Sequence, residues 1–244
     1  MLAVVIPTLN AAETLPATLE SLMPGHALGM ITETVVVDGG SGDATPECAR
    51  RAGVRVLTGP RGRGAQMTHG AAATQATWLL FLHADTRLAP DWAAAVIAHA
   101  ADPATAGRAG YFRLRLDDPR RRARLVAGWA NLRSRWFGLP YGDQGLLIRR
   151  DLYDALGGHG AAVLMEDVML ARRLGHARLA ELPAVALTSA ARYRAQGYVR
   201  RSLRNAGCLV LHFAGAPPER IARLYAGGGP SSSRGSSSTK LHGR

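Results

Sequence analysis

The sequence predicts an α/β domain: a mostly parallel central sheet with helices on both faces, then a mixed α+β half that ends in helices. Three observations carry this. Short, wholly apolar runs recur through the first hundred residues, separated by helix-like stretches, as in parallel strands buried on both faces. Beyond them the pattern changes to alternating apolar and basic residues and longer amphipathic stretches. Hydrophobic residues make up 47% of the 244 and charged residues 20%, enough for a sizeable core and against disorder.

Residues 2–6 form an apolar run closed by Pro7 and read as the first strand. Leu15, Leu19 and Leu22 stand at helical spacing within residues 12–22. Residues 34–37 are a second strand, stopped by the turn-rich Asp38-Gly39-Gly40-Ser41-Gly42-Asp43. Asp43 is expected to N-cap a helix over 44–52. A third strand spans 54–57 and an Ala-rich helix 64–76. The fourth strand, 78–82, runs into His83-Ala84-Asp85, and a helix with Pro90 near its start covers 90–101.

In the second half, residues 111–116 alternate apolar and basic, the pattern of a half-exposed antiparallel strand. A helix over 120–136 carries Leu125, Trp129, Leu132 and Trp136 on one face and arginines on the other. The simplest expectation packs the Trp face on the sheet or on a second subunit; an interfacial helix at a membrane is the alternative. Short strands at 145–148 and 179–182, a helix over 166–174, a long helix over 193–213 broken or slackened near Gly197 and Gly207, and a last helix over 217–225 complete the domain. Residues 227–244 are rich in Gly and Ser and read as a flexible tail or an expression remnant outside the fold.

Lys and Arg number 30 against 18 Asp and Glu, a formal charge of +12. Arg234, Lys240 and Arg244 fall in the last 14 residues, which have no acid, so the rest carries +9. Such an excess suits an anionic ligand or surface. Cys48 and Cys208 lie far apart with no metal-ligand spacing, and free thiols in a reducing compartment are expected. The N-terminus lacks a basic start and a cleavage site, and the longest apolar stretch, 206–216, is too short to span a bilayer. A cytoplasmic chain is expected, with peripheral contact at the inner membrane face compatible with its charge.

Ligands of such sheets bind at the carboxyl ends of the strands. The loop after the first strand, Pro7-Thr8-Leu9-Asn10, is neither a dinucleotide-binding glycine fingerprint nor a P-loop. Asp38 and Asp85 both follow strands. Asp38 suits a base N–H or ribose hydroxyl, although alone it reads more simply as a turn residue bonding its own backbone. Asp85 suits a hard divalent cation bridging to a diphosphate, with His83 on the same face favouring manganese over magnesium. Arg61-Gly62-Arg63-Gly64 opens a helix and reads equally as an anion site or a basic loop. Asp143, Glu166 and Asp167 supply scarce acids at turns and a helix start, where Glu166 and Asp167 also suit the helix dipole.

In combination these segments resemble family 2 glycosyltransferases of the GT-A fold, over residues 3 to about 225. The motifs are Val4-Val5-Ile6-Pro7-Thr8-Leu9-Asn10 with Glu13, Val36-Val37-Asp38-Gly39-Gly40-Ser41 with Asp43 and Thr45, Leu80-Phe81-Leu82-His83-Ala84-Asp85, and Met165-Glu166-Asp167. A small soluble bacterial subgroup is similar in Arg63-Gly64-Ala65-Gln66-Met67, Tyr141-Gly142-Asp143-Gln144-Gly145 and Ser189-Ala190-Ala191-Arg192-Tyr193. The resemblance implies a donor-binding half at 1–103 and an acceptor-binding, catalytic half at 104–226. Pro7, Thr8, Asn10, Glu13, Asp38 and Gly39 would line the nucleoside, and Arg63 and Gln66 the nucleotide or its diphosphate. His83, Ala84 and Asp85 would lie at the diphosphate, with Asp85 holding Mn²⁺ or Mg²⁺. Asp167 would be the general base, with Glu166 and Asp143 beside it.

The implied reaction is inverting, non-processive transfer from a UDP- or GDP-type sugar to an acceptor hydroxyl. His83 stands where the usual Asp-x-Asp motif has its first Asp, and Arg192-Tyr193 is only part of the Gln-x-x-Arg-Trp motif of processive synthases. Sugar, nucleotide and acceptor are left open; a lipid acceptor and a homodimer are both compatible, and no nucleic acid is expected. The alternatives are a nucleotidyltransferase, which wants a Gly-rich, Lys-bearing first loop, and a basic membrane-surface adaptor without catalysis.

Overall fold

The computed structural model describes residues 1–160 and 165–226. The first half alternates strands and helices: β1 (Leu2–Thr8), α1 (Leu15–Glu20), α2 (Met23–Ala27), β2 (Ile31–Asp38), α3 (Thr45–Arg51), β3 (Arg55–Thr58), α4 (Arg63–Ala72) and β4 (Trp78–Phe81). A short β5 (Thr86–Leu88) and α5 (Trp92–Ala101) follow. The second half runs β6 (Ala109–Leu116), α6 (Arg121–Phe137), β7 (Leu146–Arg149), α7 (Arg150–Ala155), α8 (Glu166–Leu174), β8 (Leu179–Thr188), α9 (Ala191–Gln196), α10 (Tyr198–Phe213) and α11 (Pro218–Ala226).

All strands belong to one eight-stranded sheet of order β3-β2-β1-β4-β7-β6-β8-β5, so the two halves share a single frame. β3, β2, β1 and β4 are parallel. The chain therefore winds outward from β1 in both directions, which opens a crevice between the carboxyl ends of β1 and β4. Successive residues of β1 feed opposite cores. Val4 and Ile6 pack with Leu15, Leu19 and Trp92 beneath α1 and α5. Ala3 and Val5 pack with Met67, Tyr153 and Leu170 beneath α4, α7 and α8. Burial on both sides is why the strand is uninterruptedly apolar.

Several expectations are corrected. Residues 12–22 hold only the six-residue α1; the chain then re-enters helix as α2, with Pro24 in its first turn, where a missing N–H costs nothing. The helix placed at 64–76 stops at Ala72, its last carbonyls taken by Arg55 Nη1 on Ala73 O (2.8 Å) and Arg150 Nη2 on Ala71 O (3.1 Å). Asp43 is not the N-cap of α3; Ala44 is, and Asp43 acts from one residue earlier by accepting the Thr45 N–H at 3.0 Å. β6 is antiparallel to β7 at one pair only and otherwise runs parallel to β8. Its alternation reports the exposure of Arg113 and Arg115, which carries no information on strand direction.

The long C-terminal helix breaks at Gly197 (φ 82°) but runs unbroken through Gly207. The Trp face of α6 points to solvent rather than to the sheet. Both cysteines are free thiols. No helix among the described residues is long and apolar enough to cross a membrane. The tail assigned to 227–244 lies outside the described residues.

Candidate active site

Two loops at the carboxyl edge of the sheet are laced into one rigid rim. The Asp38 carboxylate accepts the N–H groups of Gly40 (3.0 Å) and Ser41 (2.9 Å) and the hydroxyls of Ser41 (2.5 Å) and Thr8 (3.2 Å). Burial would raise its pKa, but the bonds from Ser41, Gly40 and Thr8 outweigh it and hold the carboxyl below its usual range. Asn10 adopts a left-handed backbone (φ 52°) and its Oδ1 accepts the Gly42 N–H at 2.8 Å. Beneath the rim, the buried Gln66 amide donates to Thr8 O and Val37 O, each at 2.7 Å, tying the ends of β1 and β2 together. Gly39 leaves room for this amide: a Cβ there would stand 3.0 Å from Gln66 Nε2.

Two clefts open beside this rim and share Arg63, His83, Asp85, Ser189, Arg192 and Tyr225. The first, about 1270 Å³ including its open mouth, is lined by Pro7, Thr8, Asn10, Thr14, Gln66 and Ala84. The second, about 840 Å³, is lined by Tyr141, Asp143, Glu166, Asp167, Tyr193 and Asn205. Asp85 is thus at the junction, its backbone oxygen held by the Ser189 N–H at 3.0 Å. The first cleft is the crevice that the strand order predicts between β1 and β4.

The second cleft concentrates perturbed acids. Met165, at φ 62°, turns the chain into α8 and brings Glu166 and Asp167 to the cleft wall. Asp167 Oδ2 accepts the Gly142 N–H at 3.0 Å. Burial, reinforced by the adjacent Glu166 charge, pushes the Asp167 carboxyl up to about 7. Asp143 is also raised by burial, and its Oδ1 has no hydrogen-bond partner. Arg63 Nε lies 3.0 Å from Glu166 Oε1, pairing the charges without a well-directed hydrogen bond. The paired acids raise the Arg63 pKa despite its burial, so it stays a cation.

Two imidazoles flank Asp167. His83 Nε2 is 4.0 Å from Oδ2 and His159 Nε2 is 3.7 Å from Oδ1. Burial and nearby cations push both histidines down, His159 to about 3, so both are neutral. The Tyr153 hydroxyl pairs with His159 Nδ1 at 3.0 Å, and the Phe81 ring meets His159 edge-on at 4.6 Å. Gly142 allows this close approach, because a Cβ here would collide with His83 Nε2 and Asp167 Oδ2.

Of the residues picked from sequence, Pro7, Thr8, Asn10, Arg63, Gln66, His83, Ala84, Asp85, Asp143, Glu166 and Asp167 line one or both clefts. Asp38 and Gly39 line neither; both Asp38 oxygens are engaged inside the rim. Glu13 is exposed and lines neither. Sequence reading missed Tyr153, His159, Asn205 and Tyr225. His159 had a signal: it is the one polar residue in Gly157-Gly158-His159-Gly160, whose glycines all have positive φ. Tyr225 and Asn205 had none, because they reach the cleft only through the folding back of α10 and α11.

The junction suits a divalent cation that is completed by a ligand. Asp85 offers hard oxygens, and the buried His83 Nε2 is neutral and without a partner. No group of three or more His, Cys, Asp or Glu gathers for a metal among the described residues. Other oxygens, such as those of a diphosphate, would have to complete the shell.

Comparison with known proteins follows the same lines. Glucosyl-3-phosphoglycerate synthase of Mycobacterium tuberculosis, solved with UDP, Mn²⁺ and glucosyl-3-phosphoglycerate, is 22% identical with a TM-score of 0.57, covering 89% of this chain and 81% of that one. A mannosyltransferase of Pyrobaculum calidifontis, solved with GDP-mannose and Mn²⁺, is 22% identical with a TM-score of 0.62, covering 92% and 68%. Mannosyl-3-phosphoglycerate synthase of Rubrobacter xylanophilus is 20% identical with a TM-score of 0.58, covering 89% and 76%. At these identities the likeness is one of fold. No curated protein is significantly similar in sequence. The model of glycosyl transferase family 2 matches residues 3–166, and with the GT-A fold of these neighbours it settles the family: the chain belongs to glycosyl transferase family 2.

Proposed function

We propose that this protein transfers a sugar from a nucleotide-diphosphate sugar to an acceptor hydroxyl, in one metal-assisted displacement that inverts the anomeric centre. The observation that carries the reading is the meeting of two clefts at His83 and Asp85, with a proton-accepting carboxylate, Asp167, on the second. The first cleft takes the donor: Thr8 and Asn10, on the rim that Asp38 braces, face the nucleoside, and Arg63 faces the diphosphate. Asp85, with His83 beside it, would hold Mn²⁺ or Mg²⁺, which would supply positive charge against the leaving diphosphate. UDP and Mn²⁺, and GDP-mannose and Mn²⁺, in the structural neighbours support a nucleotide-sugar donor and a divalent ion.

The second cleft takes the acceptor. Asp167 accepts the proton of its hydroxyl as that oxygen bonds to the anomeric carbon. The bond from that carbon to the diphosphate oxygen breaks, and the nucleoside diphosphate leaves with the electron pair. A carboxyl poised near 7 suits a base working at neutral pH. His159, neutral and held by Tyr153, walls one side of Asp167. Tyr141, Tyr193 and Asn205 form the acceptor wall. A nucleotidyltransferase is not favoured, since Pro7-Thr8-Leu9-Asn10 is not the glycine-rich loop it needs.

Calorimetric titration of UDP- and GDP-sugars with and without Mn²⁺ tests the donor site; no binding at any metal concentration would sink the proposal. Asp167→Asn should abolish turnover, a loss of roughly a hundredfold or more, while donor affinity stays within about twofold. Persistent transfer would move the base to Asp143. The anomeric proton coupling of the product, read by NMR, decides between inversion and retention.

A further inference from the structure

α6 is built inside out for a helix of a protein that meets only water. Its inward face is made of small residues: Ala123, Ala127, Ala130 and Ser134 are buried. Asn131 clamps the Leu114 backbone, accepting its N–H at 2.8 Å and donating to its carbonyl at 3.0 Å. The opposite face carries Leu125, Trp129 and Trp136, which are 73%, 63% and 64% exposed. α10, which packs against α6, repeats the arrangement. Its buried residues are Tyr198, Arg201 and Cys208, while Val199, Leu203 and Val210 share one stripe at 67%, 68% and 66% exposure. Large exposed apolar stripes mark a binding surface.

Charge identifies the occupant. Neither α6 nor α10 contains an Asp or Glu. Arg121, Arg122 and Arg124 border the α6 stripe with no ion pair among the described residues, and Arg200 borders that of α10. An apolar stripe edged by unpaired arginines fits phospholipid: apolar side chains enter the acyl boundary while guanidinium groups meet anionic headgroups. A second copy on this face would bring unpaired arginines together with no acid from either helix to offset them.

We propose that the α6–α10 face docks the protein on an anionic lipid bilayer. α10 is shared between surface and site. Arg201 and Asn205, on its other side, line the second cleft. Docking would therefore leave the second cleft behind α10, one helix diameter (~10 Å) from the membrane-facing stripe. The docking itself does not depend on the sugar-transfer reading, and it is measured without a donor or a reaction.

Flotation of the full chain with phosphatidylcholine vesicles, with and without phosphatidylglycerol, tests the proposal. Binding is expected only to the anionic vesicles and should weaken as salt rises. Tryptophan emission should shift to the blue on binding, because Trp92 is already buried and Trp129 and Trp136 are not. Trp129→Ser with Trp136→Ser should weaken partitioning by roughly tenfold or more while circular dichroism stays native. Leu203→Ser with Val210→Ser tests α10 in the same way. The cations of residues 227–244 are common to all variants, so binding that survives both double changes at full strength would assign it to charge alone and overturn the proposal. No binding to anionic vesicles at low salt would also overturn it. So would a dimer in sedimentation that the Trp changes dissociate, which would assign the face to a second copy.

Discussion

Asp167 is the residue on which the proposed chemistry turns, and its environment has consequences beyond catalysis. Its native value near 7 lies above the 3.8 of a solvated carboxyl, so the folded state retains a proton that the unfolded chain has released between those limits. Its contribution to stability is therefore complete below about pH 4 and is lost as pH rises through 7. Two outcomes follow. As the base, Asp167 must be ionised, so kcat should fall about tenfold per unit as pH drops below 7, with the limb set by this carboxyl. Asp167→Asn should raise the melting temperature by roughly 5 °C at pH 8 and by less at pH 5, measured by thermal scans of both proteins. A variant less stable at pH 8 would show that the carboxylate is better solvated than its burial implies. From sequence, Asp167 was visible as a scarce acid at a helix start. Most of the groups that tune it were not, because Arg63, Gly142 and Asp143 come from segments far from it in sequence.

Among elements, α4 sets the distance between the Asp38 rim and the sheet. It carries Arg63 and Gln66 at its start and Gly70 two turns on. A Cβ at residue 70 would run into Val5 Cγ1 and come within 2.9 Å of Val37 Cγ2, both in β-strands with no room to yield. Gly70→Ala should therefore push α4 off the sheet, costing about 1–3 kcal/mol and loosening the Gln66 bonds that join Thr8 and Val37. Chemical denaturation reads the first effect, and a weaker donor affinity in calorimetry reads the second. Unchanged stability would mean that the helix slides freely. The strands and helices of this half were legible because apolar periodicity registers two-sided burial. β5 and α7 were not, being too short to show a period. Nor was the outward Trp face of α6, since an amphipathic pattern names two faces without saying which one meets the protein.

At the scale of the molecule, one ion pair among the described residues bridges the two halves of the chain. Arg63 comes from the first half and Glu166 from the second, 3.0 Å apart, and the Glu166 side chain is only 1% exposed. An acid so enclosed is tolerable only beside a cation. Arg63→Met should therefore cost roughly 2–3 kcal/mol, the low end for a broken buried pair, because Arg63 itself is about one-third exposed and partly screened. It should also move the acid limb of the kcat profile to higher pH, since Arg63 is a cation that favours the ionised form of Asp167. Adding Glu166→Gln removes the stranded charge and a repulsion on Asp167 together. The double variant should recover most of the lost stability in denaturant titration, and its pH limb should return toward that of the parent. Donor affinity should stay weak in both variants, because neither restores a cation to face the diphosphate. If the single change left both stability and the pH limb untouched, the pair would add nothing to the joining of the two halves, and Arg63 would serve only the donor cleft.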